Sequence, residues 1–470
     1  MFVFLISISI IALAAILFVS CASLKTKPIL DSQGRITIYH GINVANNAKH
    51  SEGHLPWQTK EDLVKLKSWG FNLVRYLVFW EALEPTEGNI DMDYIGKTKE
   101  RLQWLQELGI DVIIDIHQDV YGPKLTGNGF PEWATNDEGI PFTEQQPWNA
   151  NYLEPAVIAA YKNFWNSDPW KKRYVEIVQI VFTNFADPFD NVLGVDIMNE
   201  PFPIISPDFV KAIKDKKITE VKVKYLKEIA NFERNYLDKL YEDVSANVKT
   251  QKKFFFEPVI YTSSGIPSRL KFKPGSNWVY YPHYYDPFCH ENKPYGEANE
   301  KLMEASSIIK VIEASKRFKT PILYGEWGIG QKVGNFEKYI TDFCNLADKF
   351  NYGWTYYCYD PGHPFSPIDA DKKETPQLKA LMRPYPQKIS GTNPKFSLEG
   401  NVFELTYNAD STDKEPTVIF VPGNYYKTML SDTEQCTFKV ETEGHYLNEN
   451  NYITYYNDIS KKKQTIKITW

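Results

Sequence analysis

Cysteine is scarce: Cys21, Cys289, Cys344, Cys358 and Cys436 are the five in a chain of 470 residues. Disulfides would be an accessory to this fold, not its framework. The four beyond Cys21 admit three pairings in an oxidising compartment, and the sequence does not choose among them. No C-x-x-C or C-x-x-H cluster offers zinc-ligand spacing. No Asn-x-Ser/Thr sequon occurs, so N-glycosylation is not expected. Gly-x-Gly-x-x-Gly follows none of the strand-like runs, which argues against a doubly wound dinucleotide-binding sheet. Basic residues form no stripe with interleaved aromatics, and the net charge is -6. Nucleic acid is therefore not an expected partner. Beyond the N-terminus, no segment is apolar for long enough to span a bilayer.

What is present suits a large folded enzyme. Hydrophobic residues make up 43% and aromatics 15%, enough for a sizeable core. The opening run "MFVFLISISIIALAAILFVSCAS" carries no charge before Lys25. It reads as a secretory signal over residues 1–24 and places the protein in the secreted or lysosomal-type pathway. Two alternatives stay open: an uncleaved membrane anchor, or a lipoprotein signal modified at Cys21.

Eight short apolar runs alternate with helix-like segments: 36–44, 72–80, 111–119, 192–200, 253–261, 277–285, 321–329 and 353–360. Thr59 and Asp62 predict a capping box for the first helix, which stops at Gly70. Leu102, Leu105 and Leu108 mark another that stops at Gly109. Eight strands alternating with helices over about 350 residues predict a closed (β/α)₈ TIM barrel over 25–389. From residue 390 to 470, polar–apolar alternation between Asn, Gly and Asp turns predicts a C-terminal antiparallel β-sandwich domain.

In such a barrel, reacting groups stand at the C-terminal strand ends. Six predicted strands end in suitable groups: Arg75, His117 and Asp119, Asn199 and Glu200, His283 and Tyr285, Glu326, and Trp354 with Asp360. Barrel order sets Glu200 and Glu326 across the mouth from each other. Two carboxylates facing one pocket are the minimum equipment for glycoside hydrolysis. One must hold a proton for the leaving oxygen while the other stays ionised, so their environments must push their pKa values apart. Arg75 beside Glu326 would keep that group charged, Asn199 could bind a sugar hydroxyl, and Trp354 could stack on a pyranose. Taken singly, each residue has an ordinary structural explanation, including Arg75 as a partner of Asp115 or Asp196. Their joint placement on different strand ends favours function.

The motifs "NEP" (199–201), "GEWG" (325–328) and "HYYDP" (283–287) resemble glycoside hydrolase family 5, clan A. "FWEALEPTEGNID", "DIHQDVY", "GNGFPEWA" and "RPYP" resemble more narrowly the endoglycoceramidases. That resemblance implies Glu200 as acid/base and Glu326 as nucleophile. It implies Arg75 and Tyr285 as supports of Glu326. His117, Asp119, Asn199, Trp354 and His283 would surround the sugar, with Lys49 as a further sugar contact. The implied reaction is retaining hydrolysis of the β-bond between oligosaccharide and ceramide in a glycosphingolipid at a membrane or micelle surface. It needs no metal or organic cofactor and no obligate protein partner. Alternatives are a β-glucosidase on glucosylceramide or steryl glucoside, an endo-β-1,4-glucanase, or a binding protein on a retired barrel. Apolar residues in the long segments 120–191 and 201–252, such as "FPEWA" and "FPIISPDFV", favour a lipid-accepting groove unless they simply pack on the barrel.

Overall fold

The computed structural model describes residues 24–215, 223–409, 414–422, 439–442, 444–449 and 451–469. The N-terminal apolar run with Cys21, and Cys436, lie outside the described residues. Two short strands come first, β1 (Ile29–Leu30) and β2 (Ile36–Thr37). The barrel then takes β3 (His40–Val44), β4 (Leu73–Val78), β5 (Asp111–Ile116), β6 (Val192–Asp196) and β7 (Lys253–Phe256). It is completed by β8 (Trp278–Tyr280), β9 (Leu323–Tyr324) and β10 (Gly353–Tyr356). All neighbours are parallel, in the order β8-β7-β6-β5-β4-β3-β10-β9. Parallel bridges from Tyr280 to Ile322 and from Tyr284 to Trp327 join the two ends. The sheet is thus a barrel.

Each barrel strand is covered on both faces, which is why the runs are apolar without alternation. The inner face is visible from the packing. Leu73, Ile113, Phe255, Val279 and Leu323 form a compact layer together with Tyr39. A strand turns alternate side chains to one face. Moving two residues up from that layer gives Arg75, Asp115, Glu257, Tyr281 and Gly325, and the next step on two strands gives His117 and His283. The polar set therefore shares the interior and begins where the apolar layer ends. The larger apolar cluster lies between strands and helices.

The predicted helix ends form as expected. The helix Lys60–Ser68 has Thr59 at its N-cap, with Asp62 completing the capping box. The helix Met92–Leu108 stops at left-handed Gly109 (φ 66°), whose N–H bonds the Gln106 carbonyl.

The second module has two antiparallel sheets. β11 (Tyr385–Ile389), β14 (Thr417–Phe420), β16 (His445–Glu449) and β17 (Tyr452–Tyr456) join β1 and β2 in one. β12 (Thr392–Glu399), β13 (Val402–Asn408), β15 (Lys439–Thr442) and β18 (Lys463–Thr469) form the other. Phe403, Leu405, Ile466 and Ile468 alternate into the core between them. The run 36–44 is therefore divided: Ile36 and Thr37 pair with Ile389 and Lys388, and only His40–Val44 enters the barrel. At the seam, Tyr385 donates its hydroxyl to the Gly70 carbonyl at 2.6 Å. The Phe420 ring sits where a Gly70 Cβ would stand, 2.3 Å away, and Gly70 has φ +86°, so no other residue fits there without strain.

Cys289, Cys344 and Cys358 are buried free thiols, so none of the pairings among these three forms. No helix among the described residues is long and apolar enough to cross a membrane.

Candidate active site

Arg75 anchors the barrel mouth. It is fully buried, which is tolerable for a guanidinium only where its charge and donors are met. Its Nη1 donates to Glu326 Oε1 at 2.5 Å and to Asn43 Oδ1 at 3.0 Å. Its Nη2 lies 2.8 Å from Asp196, 3.1 Å from Asp115 and 3.3 Å from Glu257, and it donates to Asn199 Oδ1 at 2.9 Å. Pairing with Asp115 or Asp196 and support of Glu326 are thus both present in one side chain.

Glu326 receives a second hydrogen bond from the Tyr285 hydroxyl at 2.9 Å. Burial pushes its carboxyl pKa up, but the charges of His283, Arg75, His117 and Lys49 outweigh this and hold it below the usual range. Glu200 behaves in the opposite way. Burial is the leading influence and, with the nearby Glu326 and Glu257, pushes it up to about 7 against the lowering effect of His283. His283 stands between the two, its Nδ1 2.9 Å from Glu200 Oε1 and 3.9 Å from Glu326 Oε2. Carboxylate oxygens of Glu200 and Glu326 lie within 4.8 Å of each other. Gly325 provides the room, since a Cβ there would lie 2.7 Å from His283 Nε2.

On the other flank, Lys49 Nζ lies 2.7 Å from Asp119 Oδ2. His117 bridges Asp115 at 2.7 Å and Asp119 at 3.2 Å. Tyr152 donates to Asp119 Oδ1 at 3.1 Å. Burial raises the Asp119 carboxyl, but Lys49 and His117 overcome it and leave the group well below the usual range. Asn199 gives one amide hydrogen to the Gln118 carbonyl at 3.0 Å.

Of the residues singled out in the sequence, Trp354 is misplaced. It is fully buried on the outer face of β10, stacked on His40 at 4.4 Å and edge-on to Trp327 at 5.2 Å. It cannot stack on a sugar. The inward residue of that strand is Thr355, bonded to the Gly325 carbonyl. The ring that reaches the site is Tyr357, with Lys49 Nζ 5.1 Å from its centroid and its hydroxyl bonded to Asn46. Sequence reading also missed Asn43 and Glu257, although both close strands and the strand-end rule could have found them. The loop argument for a lipid groove is likewise corrected: Phe202, Ile205 and Phe209 are buried in the main core.

Among the described residues, Glu200, His283 and Glu326 form the cluster whose donor atoms are close enough for a cation. Arg75 and Lys49 already bring positive charge to it, which opposes a dication there. Arg75→Met would leave several buried acids without their counter-charge. We expect a loss of about 3–5 kcal/mol of folding stability, read by denaturant unfolding.

A carboxylate kept ionised and another kept protonated, close together over the open end of a barrel, define a glycoside hydrolase. The chain belongs to glycoside hydrolase family 5. The family model described as cellulase (glycosyl hydrolase family 5) matches residues 31–363, and the glycoside hydrolase family 5 C-terminal domain matches 383–469. The chain is 23% identical to endoglycoceramidase I of Rhodococcus hoagii, over 85% of this chain and 79% of that one. It is 26% identical to an endoglycoceramidase of Cyanea nozakii, over 86% and 84% respectively. Endo-glycoceramidase II from Rhodococcus sp. superposes with a TM-score of 0.80 at 26% identity, covering 94% of this chain and 99% of that one. Structures of that enzyme include a ganglioside GM3 complex and a lactosyl-enzyme intermediate.

Proposed function

We propose that this protein is a retaining endo-β-glycosidase that cleaves the bond between oligosaccharide and ceramide in glycosphingolipids and releases the glycan intact. The observation that carries the reading is the approach of Glu200 and Glu326 oxygens to within 4.8 Å. Retaining enzymes hold their carboxyl groups about 5–5.5 Å apart, whereas inverting enzymes leave about 6.5–9.5 Å for a water. Likeness to endoglycoceramidases along nearly the whole chain supports the substrate class.

In this mechanism Glu326 attacks the anomeric carbon, oriented by Arg75 and Tyr285. Glu200 gives its proton to the departing primary oxygen of the lipid. The now ionised Glu200 then takes a proton from water, which attacks the glycosyl-enzyme and frees Glu326. Lys49, His117, Asp119 and Asn199 are placed to hold the sugar hydroxyls, and Tyr357 to face the ring. The apolar run 1–23 supports entry into the secretory pathway, which N-terminal sequencing of exported protein checks.

Ganglioside, glucosylceramide and carboxymethyl cellulose assayed in parallel test the assignment by mass spectrometry of the products. Intact oligosaccharide and ceramide from ganglioside are expected. Release of single glucose from glucosylceramide alone, or cleavage of cellulose alone, would overturn it. The pH dependence follows from the two acids. Turnover needs Glu200 protonated, so kcat/KM falls as pH rises through about 7. It also needs Glu326 ionised, so the acid limb lies below the ordinary carboxylate range.

A further inference from the structure

Glu257 follows β7 on the inner face and is almost completely buried, at 2% exposure. No step of the mechanism above is assigned to it, although its charge helps to raise the Glu200 carboxyl. Yet its two oxygens reach three parts of the machinery. Oε1 lies 3.0 Å from His283 Nε2 and 3.3 Å from Arg75 Nη2. Oε2 accepts the backbone N–H of Glu200 at 3.0 Å. Glu200 has a left-handed backbone (φ 41°), a conformation uncommon for a residue with a side chain and one that needs outside support.

We propose that Glu257 is a positioning residue of the acid/base: it fixes His283 and the Glu200 backbone so that His283 Nδ1 meets the Glu200 carboxyl. This rests on the glycosidase reading of the site. The carboxylate 3.0 Å from Nε2 meets the imidazole through charge and not through an aligned hydrogen bond, and so favours the positively charged ring and holds it in place. Nδ1 is then directed at Glu200. When Glu200 has given up its proton, the imidazole beside it is the group that faces the new negative charge. Arg75, Asp196, Glu200 and His283 face Glu257, as do the buried phenols Tyr174 and Tyr241, the latter donating to the Glu257 backbone carbonyl at 2.6 Å. Burial, together with the Glu257 and Asp115 charges, pushes the Asp196 carboxyl well up against the lowering effect of Arg75. Positive influences on His283 come first from Glu257 and then from Glu326, against its burial.

The leaving group separates positioning of the acid from general damage. A lactosyl lipid needs its departing oxygen protonated, whereas dinitrophenyl lactoside releases a stable phenolate and scarcely does. Glu257→Gln keeps the size and loses the charge. We expect kcat/KM on the lipid to fall about 10- to 100-fold, with a several-fold smaller effect on the first step with the aryl lactoside. In a His283→Gln background, Glu257→Gln should add little, because the two act as one unit. Equal losses on both substrates, or additive losses in the double variant, would overturn the assignment. If Glu257→Gln fails to fold by thermal unfolding, Glu257→Asp, which keeps the charge on a shorter arm, is read by the same ratio. Wild-type hydrolysis of both substrates is the control. Its absence would overturn the glycosidase reading as well, while its presence with proportional losses would overturn the role of Glu257 alone.

Discussion

Glu326→Gln is expected to lower kcat on ganglioside by on the order of 10⁴–10⁶-fold while leaving substrate binding nearly intact. Glutamine has the same shape as the carboxylate, and its amide oxygen can still accept from Arg75, so the pocket keeps its form. The Tyr285 hydroxyl can turn to accept from the amide nitrogen that replaces Oε2. What disappears is the anionic oxygen that would bond to the anomeric carbon, and no neighbouring group can stand in. Asp119 is committed to Lys49 and His117, and Glu200 is the group that must keep a proton. Calorimetric titration of the variant with ganglioside should give a dissociation constant close to the wild-type KM, with no glycan released. Turnover above about 1% of wild type would remove Glu326 from the nucleophile role.

Glu200→Ala should cost on the order of 10²–10⁴ in kcat/KM on the same substrate. The loss should depend on the step observed. With dinitrophenyl lactoside the first step survives, because the departing phenolate needs no proton. The second step lacks its base, so the lactosyl-enzyme accumulates and appears as a mass increment on the intact protein. Azide needs no deprotonation and fits the space vacated by the side chain. It should restore turnover and yield β-lactosyl azide, with the original anomeric configuration. An α-azide, or rescue without any accumulated adduct, would mean that the two carboxylates do not act in sequence on opposite faces of the sugar.

The difference between these two acids was legible in outline before any coordinates. The eight strands declare themselves because a parallel barrel strand must be apolar on both faces, and their ends carry polar residues that no core would otherwise tolerate. The opposed protonation of Glu200 and Glu326 followed from the chemistry they must perform. What the sequence hid was orientation within a strand. In β10, Gly353, Trp354, Thr355 and Tyr356 are all buried. Hydropathy therefore cannot say which of them face the lumen, and the tryptophan drew attention away from Tyr357. Glu257 escaped for another reason: the apolar run extends over 253–261 and puts it in mid-strand, whereas the strand itself stops at Phe256. The loop phenylalanines around 202–209 looked like a lipid path because burial against the barrel and burial against a ligand leave the same trace in composition.

Pairing between β2 and β11 was also invisible, since partners some 350 positions apart leave no local signature. That pairing has a consequence for how the protein is made. Ile36 and Thr37 leave a ribosome long before Ile389 and Lys388 exist, so the N-terminal hairpin waits unpaired through the synthesis of the whole cylinder. A truncation after residue 384, designed to isolate the cylinder, would strand Ile36 and Ile38 without their cover. Such a fragment should be obtained in aggregates unless the last 86 residues are supplied in trans.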